Sequence, residues 1–166
     1  MQLTSPMPLF ICQQAQELDL YGTVDAAYSS LDSLSYVPFE ALREAFRRLR
    51  LFIRPGGLLI FDLRTPEFLR SMDGSVSVDE TDELFCLWRG RFDESAGALR
   101  YGMDIFERVE EDLYEHFEEE HTEYAHDAVA VMEELRRLGF IDVQTRSDGP
   151  MAGPDRVFIQ AKRGYD

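Results

Sequence analysis

Glu119 and His121 stand two residues apart in a stretch that reads as a strand, a spacing that puts both side chains on one face. An imidazole titrating near neutral pH suits proton removal from an amine or hydroxyl. The carboxylate could orient that imidazole, the two could clamp a substrate, or they could form a solvated pair on an acidic surface. His116, His121 and His126 recur every five residues, which matches neither strand nor helix faces, so no metal site is expected from them. The glutamates around them read as a solvated face. Asp32 follows the apolar run 24–28, and Asp62 ends the run 58–61. Open α/β sheets place ligands just past the carboxyl ends of strands. Asp32 is therefore either a ligand contact or a loop residue capping the next turn, and Asp62 reads more readily as a structural cap. Tyr28, Tyr36, Trp88 and Tyr101 could line a substrate pocket, although aromatics at strand period more often form core.

These residues need elements to hold them. Val24 to Tyr28 reads as a buried strand running into the loop Ser29-Ser30-Leu31-Asp32-Ser33. Phe39, Leu42, Phe46, Leu49 and Phe52 recur at helical steps, predicting a helix over 39–52 with one apolar stripe. Pro55-Gly56-Gly57 is expected to stop it. Leu58-Leu59-Ile60-Phe61 is wholly apolar, as in a parallel strand covered on both faces. Strand, helix and strand make one right-handed βαβ unit. Leu84, Cys86, Trp88 and Phe92 alternate with more polar neighbours, and Leu99, Tyr101, Met103 and Ile105 alternate again after a turn at 93–97. Leu113 to Thr122 offers a third run, and together these predict an antiparallel meander. Val131, Met132, Leu135 and Leu138 then form a helical stripe, with Gly139 in the left-handed position after it. Residues 140–145 and 157–161 read as two strands, joined by a Gly/Pro-rich turn or lid at 148–154. Leu9 to Cys12 could be an edge strand.

Composition bounds what such a chain can be. With 166 residues, 45% hydrophobic and 12% aromatic, it suits one domain with a real core. That domain divides into an N-terminal edge segment (1–22), the βαβ unit (23–70), the meander (80–124) and a C-terminal helix and β-hairpin (125–166). Lys+Arg number 17 against 32 Asp+Glu, for a formal charge of −15. Such a surface repels nucleic-acid backbones and anionic membranes. No apolar stretch is long enough to span a bilayer, and no signal peptide is expected. Cys12 and Cys86 alone are neither a disulfide framework nor a zinc-ligand set, so a cytoplasmic protein is expected.

The order of motifs carries more information than any one of them. Val24-Asp25-Ala26-Ala27 followed by Leu31-Asp32-Ser33-Leu34-Ser35-Tyr36, then Leu51-Phe52-Ile53-Arg54-Pro55-Gly56-Gly57-Leu58-Leu59-Ile60-Phe61-Asp62, then Glu119-Glu120-His121 and Leu138-Gly139-Phe140, resembles the C-terminal half of class I S-adenosylmethionine-dependent methyltransferases of the small-molecule type. The resemblance implies an α/β fold: a partial Rossmann-like methyltransferase sheet (strands 4 to 7) with an inserted antiparallel β-meander. It implies S-adenosylmethionine as cofactor, with Ser30, Leu31 and Asp32 binding it, and a small-molecule acceptor handled by Tyr36, Glu119 and His121. One departure is large. The family holds its cofactor on a glycine-rich loop after the first strand, and no G-x-G occurs in this sequence. The chain reads as starting near the family's third strand, which would leave the 24–28 strand with an unpaired edge and an uncovered apolar face. Exposed edges are normally covered. A homodimer is expected, or a polypeptide supplying the N-terminal half. The rival reading is a catalytically inactive remnant serving as a dimerisation or ligand-binding module.

Overall fold

The structure, a computed structural model, describes residues 8–146 and 153–165. Two four-stranded sheets organise them. In the first, β1 (Val24–Ser29) runs parallel to β2 (Ile53–Arg64), with Ala26 opposite Leu58 and Tyr28 opposite Ile60. α1 (Phe39–Phe52) is the crossover between them. β8 (Arg156–Arg163) pairs antiparallel with β2, and β7 (Phe140–Arg146) closes the far edge against β8. The second sheet is an antiparallel meander in the order β3 (Val76–Glu80), β4 (Leu84–Asp93), β5 (Ala98–Glu110) and β6 (Leu113–Tyr124). α2 (Pro66–Ser71) leads into it, and α3 (Ala128–Arg137) leads out.

The core forms where the apolar stripes of α1 and α3 meet one face of the first sheet. Leu42 and Phe46 of α1, Val131 and Leu135 of α3, and alternate β2 residues Leu59, Phe61 and Leu63 are buried together with Ile159 and Ala161. Glu134 clips the two helices to each other. It receives Arg137 of its own helix at 2.7 Å through Nε and Arg43 of α1 at 3.3 Å. Hydrogen bonding from Arg137 is the main cause that lowers its carboxyl from 4.5 to about 2. A depressed folded-state pKa adds stability above the unfolded value and loses it as the proton binds. Glu134→Gln is therefore expected to cost about 1–3 kcal/mol at neutral pH. It should also flatten the acid limb of a stability-against-pH curve between 4.5 and about 2, measurable by urea unfolding at stepped pH.

Several expectations need correction. The apolar run Leu9 to Cys12 forms no strand; Leu9 and Phe10 are exposed, and the segment turns through a short 3₁₀ helix at Ala15–Glu17. Pro55-Gly56-Gly57 does not stop the helix. The chain turns extended at Ile53, three residues after the last arginine of α1. The Pro-Gly-Gly sequence instead makes an irregularity inside β2, between its pairings with Val24 and Ala26. Gly56 has φ +76°, and a Cβ on Gly57 would sit 2.7 Å from the Asp25 carbonyl, so this close approach of two backbones requires glycine. The run 58–61 is covered on one face only: Ile60 is 37% exposed and its neighbour Tyr28 81%. The meander begins at Val76, four residues ahead of the expected boundary at 80. α2 was legible in principle, since Thr65 caps it by accepting from the Phe68 N–H and Pro66 holds its first position. Most of the expected lid at 148–154 lies outside the described residues. No helix among the described residues is long and apolar enough to cross a membrane.

Candidate functional site

At the carboxyl ends of β1 and β2 the chain turns sharply. Leu31 and Asp32 both adopt positive φ, +58° and +53°, a conformation that costs non-glycine residues energy and that surrounding contacts must hold in place. A buried ion network supplies those contacts. The Asp32 N–H donates to Asp62 Oδ2 at 3.0 Å. The Asp32 carboxylate lies 2.6 Å from Arg156 Nη2 and 3.5 Å from Arg64 Nε. Arg156 also pairs with Asp62, and both side chains are almost wholly buried. Arg64 continues to Asp155 at 2.7 Å. The loop is thereby clamped to β2 and β8, and its next turn, Ser33–Tyr36, is fixed from the other side. There the ring Nε2 of buried His126 approaches the Val37 carbonyl at 2.9 Å. Burial lowers the His126 pKa, so a neutral ring donates to that carbonyl.

This clamp delivers Tyr36 to the inner face of the meander. Cross-strand pairing sets Phe92, Leu99 and Glu123 in one row, and Gly90, Tyr101 and His121 in the next on the same face. Glu123 is 3% exposed. Burial is the main cause that raises its pKa, while the nearby Tyr36 hydroxyl favours the charged form. Its Oε2 atom is buried without a hydrogen-bond partner. Burial and the Glu123 charge push the Tyr101 hydroxyl up to about 12 and the Tyr36 hydroxyl higher still, so both phenols keep their protons at any physiological pH. His121 stands edge-on to Tyr36, with ring centroids 6.1 Å apart. A buried carboxyl with one unsatisfied oxygen, flanked by two protonated phenols, can accept a proton or hold a cation.

Asp32, Tyr36 and His121 thus lie in one cluster, but not all in the expected manner. The Asp32 carboxylate is engaged by two arginines and fixes the loop. Ser30 and Leu31 stand exposed beside it, the Ser30 carbonyl accepting from Ser33 Oγ at 2.7 Å. Glu119 and His121 do share a face and meet at 3.1 Å, yet both are about half exposed and form the rim. Asp62 is structural. Of the aromatics, Tyr101 joins the cluster, whereas Tyr28 is on the uncovered face of β1, and Trp88 donates to Asp79 at 2.8 Å. Asp104, His116 and Glu118 are the ligand-type group gathered closely enough for a metal among the described residues. Arg89 already pairs with Asp104.

Glu123, Arg64 and Arg156 were missed by sequence reasoning. For Glu123 a signal existed: residues 119, 121 and 123 fall on one face of β6. The surrounding glutamates concealed that its end of the strand is the one that turns inward.

Neither a protein-family model nor a curated protein sequence matches the chain. Solved structures do. An S-adenosylmethionine-dependent methyltransferase from Clostridium acetobutylicum superposes with TM-score 0.79 over 95% of this chain, at 22% identity. A sugar N-methyltransferase from a Streptoalloteichus species gives 0.76 over 92%, at 19% identity. An amino pentose methyltransferase from Micromonospora echinaspora, solved with S-adenosylmethionine bound, gives 0.70 over 91%, at 16% identity. The fold is that of the class I methyltransferases. The chain spans only 65%, 61% and 63% of those three proteins. Within this methyltransferase fold, β1 is the sheet edge, without a partner on its outer side among the described residues.

Proposed function

We propose that this chain forms the acceptor-binding part of an S-adenosylmethionine-dependent methyltransferase that methylates the nitrogen of a small-molecule amine, with Glu123 as proton acceptor. The observation that carries this reading is the buried, partly unsatisfied Glu123 carboxyl at the carboxyl ends of two parallel strands. Two proteins of similar fold, a sugar N-methyltransferase and an amino pentose methyltransferase, point the same way. When bound, the cofactor supplies an electrophilic methyl group. The residues of this chain do the rest: Tyr36 and His121 position the acceptor nitrogen, and Glu123 takes its proton. Aligned attack needs placement more than strong acid–base help, which suits one modest base inside a rigid cluster.

The residues present fit one wall of the cofactor site. Leu31, held exposed by a locked loop, and Ser30 beside it would meet the cofactor, with Asp32 holding the loop. The opposite wall requires a glycine-rich loop, which does not occur in this sequence and would come from residues outside it. The open edge of β1 and the exposed pair Tyr28 and Ile60 are where it would join. The free thiols of Cys12 and Cys86 suit a reducing cytoplasm. A second reading, an inactive binding module, draws on that same lack of a glycine-rich loop. Calorimetric titration with S-adenosylmethionine and S-adenosylhomocysteine, once with this chain alone and once with the missing wall supplied, separates the two. Micromolar binding in either titration is expected of the enzyme; no heat at millimolar concentration in both would favour the module.

A further inference from the structure

The outer face of the meander carries a feature that methyl transfer leaves unused. Arg91 of β4 and Arg100 of β5 are directly paired across the strands, and the adjacent row on that face holds Arg89 opposite Gly102. Arg89 is committed to Asp104. Arg91 and Arg100 have no carboxylate within ion-pair distance among the described residues. Asp93, the acidic residue that feels the Arg100 charge, spends its Oδ1 on Ser95 and Ala96 at 2.7–3.1 Å. Like charges directly opposed across a sheet destabilise it. Their lack of counter-ions is conspicuous in a chain with 32 acidic residues and 17 basic ones.

The space between these side chains is open. A Cβ built on Gly102 would meet nothing within 4 Å. The floor it leaves is part of a cavity of about 640 Å³, edged by Asp73, Ser75, Arg89, Arg91, Arg100 and Glu120, where Asp73 Oδ1 is held by the Phe92 N–H at 2.9 Å. Guanidinium groups offer planar forks of donors that match tetrahedral oxyanions in bidentate fashion. We propose that this groove binds a small phosphate-class anion between Arg91 and Arg100, on the face of the meander opposite Glu123. The acidic β6 strand beside the groove and the net charge of −15 turn away extended polyanions, which leaves a compact oxyanion as the occupant.

The test uses the intact chain and inorganic phosphate, titrated calorimetrically at constant ionic strength without cofactor, so its outcome does not depend on the methyltransferase reading. Saturable one-site binding is expected. Arg91→Gln/Arg100→Gln should weaken it at least tenfold while leaving the circular dichroism spectrum unchanged. Arg47→Gln on α1 should leave it unaltered. A parallel titration with glucose 1-phosphate distinguishes the sources: equal affinity marks a site for free phosphate, and tighter binding marks one for the phosphoryl group of a larger molecule. Absence of saturable binding to either probe, or equal binding by the folded double variant, overturns the proposal.

Discussion

Replacing Arg156 with methionine is expected to cost about 3–5 kcal/mol of folding free energy, the range for removing one partner of a buried ion cluster. It would be measured as a fall in the urea midpoint at neutral pH. The Arg156 side chain is 3% exposed and reaches both Asp32 and Asp62. Without it two buried carboxylates face each other, with only the more distant Arg64 near one of them. The penalty is that of uncompensated charge, so relieving the charge should recover stability. Arg156→Met/Asp62→Asn is expected to be more stable than Arg156→Met alone, a non-additivity that marks direct coupling. Arg156→Lys, which keeps the charge but loses the fork, should fall between wild type and Arg156→Met. A loss under about 1 kcal/mol, the surface-pair range, would mean that the carboxylates are solvated. The clamp on the Ser30–Asp32 loop would then be something else.

Glu123→Gln is expected to change activity and stability in opposite directions. General-base removal typically costs 10²–10⁴ in rate, and a fall of that order is expected in transfer of labelled methyl from S-adenosylmethionine to small amines by the assembled enzyme. For stability the sign is reversed. A carboxyl whose folded pKa is raised by burial contributes most below its unfolded value, and that contribution fades as pH rises through the folded value. Glutamine removes the buried charge, so the variant should be more stable at neutral pH by about 1 kcal/mol, the order for relieving a buried polar atom without a partner. Wild-type kcat/KM should rise with pH through a carboxyl pKa above the ordinary range, and that limb should vanish in the variant. Full activity in Glu123→Gln would transfer the base role to His121.

The meander shows how far local pattern reaches. Period-two alternation from Leu84 to Ile105 located β4 and β5, because a sheet with one buried face writes that face into every second residue, whereas β6 is exposed over its first nine residues and carries no such pattern. β3 was not legible: all five of its residues are exposed, so nothing in its hydrophobicity demanded a strand, and pairing with β4 alone creates it. Helix α1 was legible end to end, since its stripe faces a core throughout. The strand β2 was only partly legible. Its apolar centre announced itself, but its beginning at Ile53 depends on pairing with Val24, a contact between residues 29 apart.

The site divides along the same line. From sequence alone came the parallel βαβ unit, the loop at its mouth and the aspartates, tyrosine and histidine near it. Hydrophobic period, glycine placement and strand ends are local properties. Which carboxylate would be free to act was decided by the tertiary structure. Asp32 and Asp62 are neutralised by Arg156, 124 and 94 positions away. Glu123, one of many glutamates in its stretch, acquires its altered proton affinity only because β6 carries it beneath Tyr36 and out of water. Charge chemistry depends on desolvation and on partners brought together through space, and neither is encoded within a window of neighbouring residues.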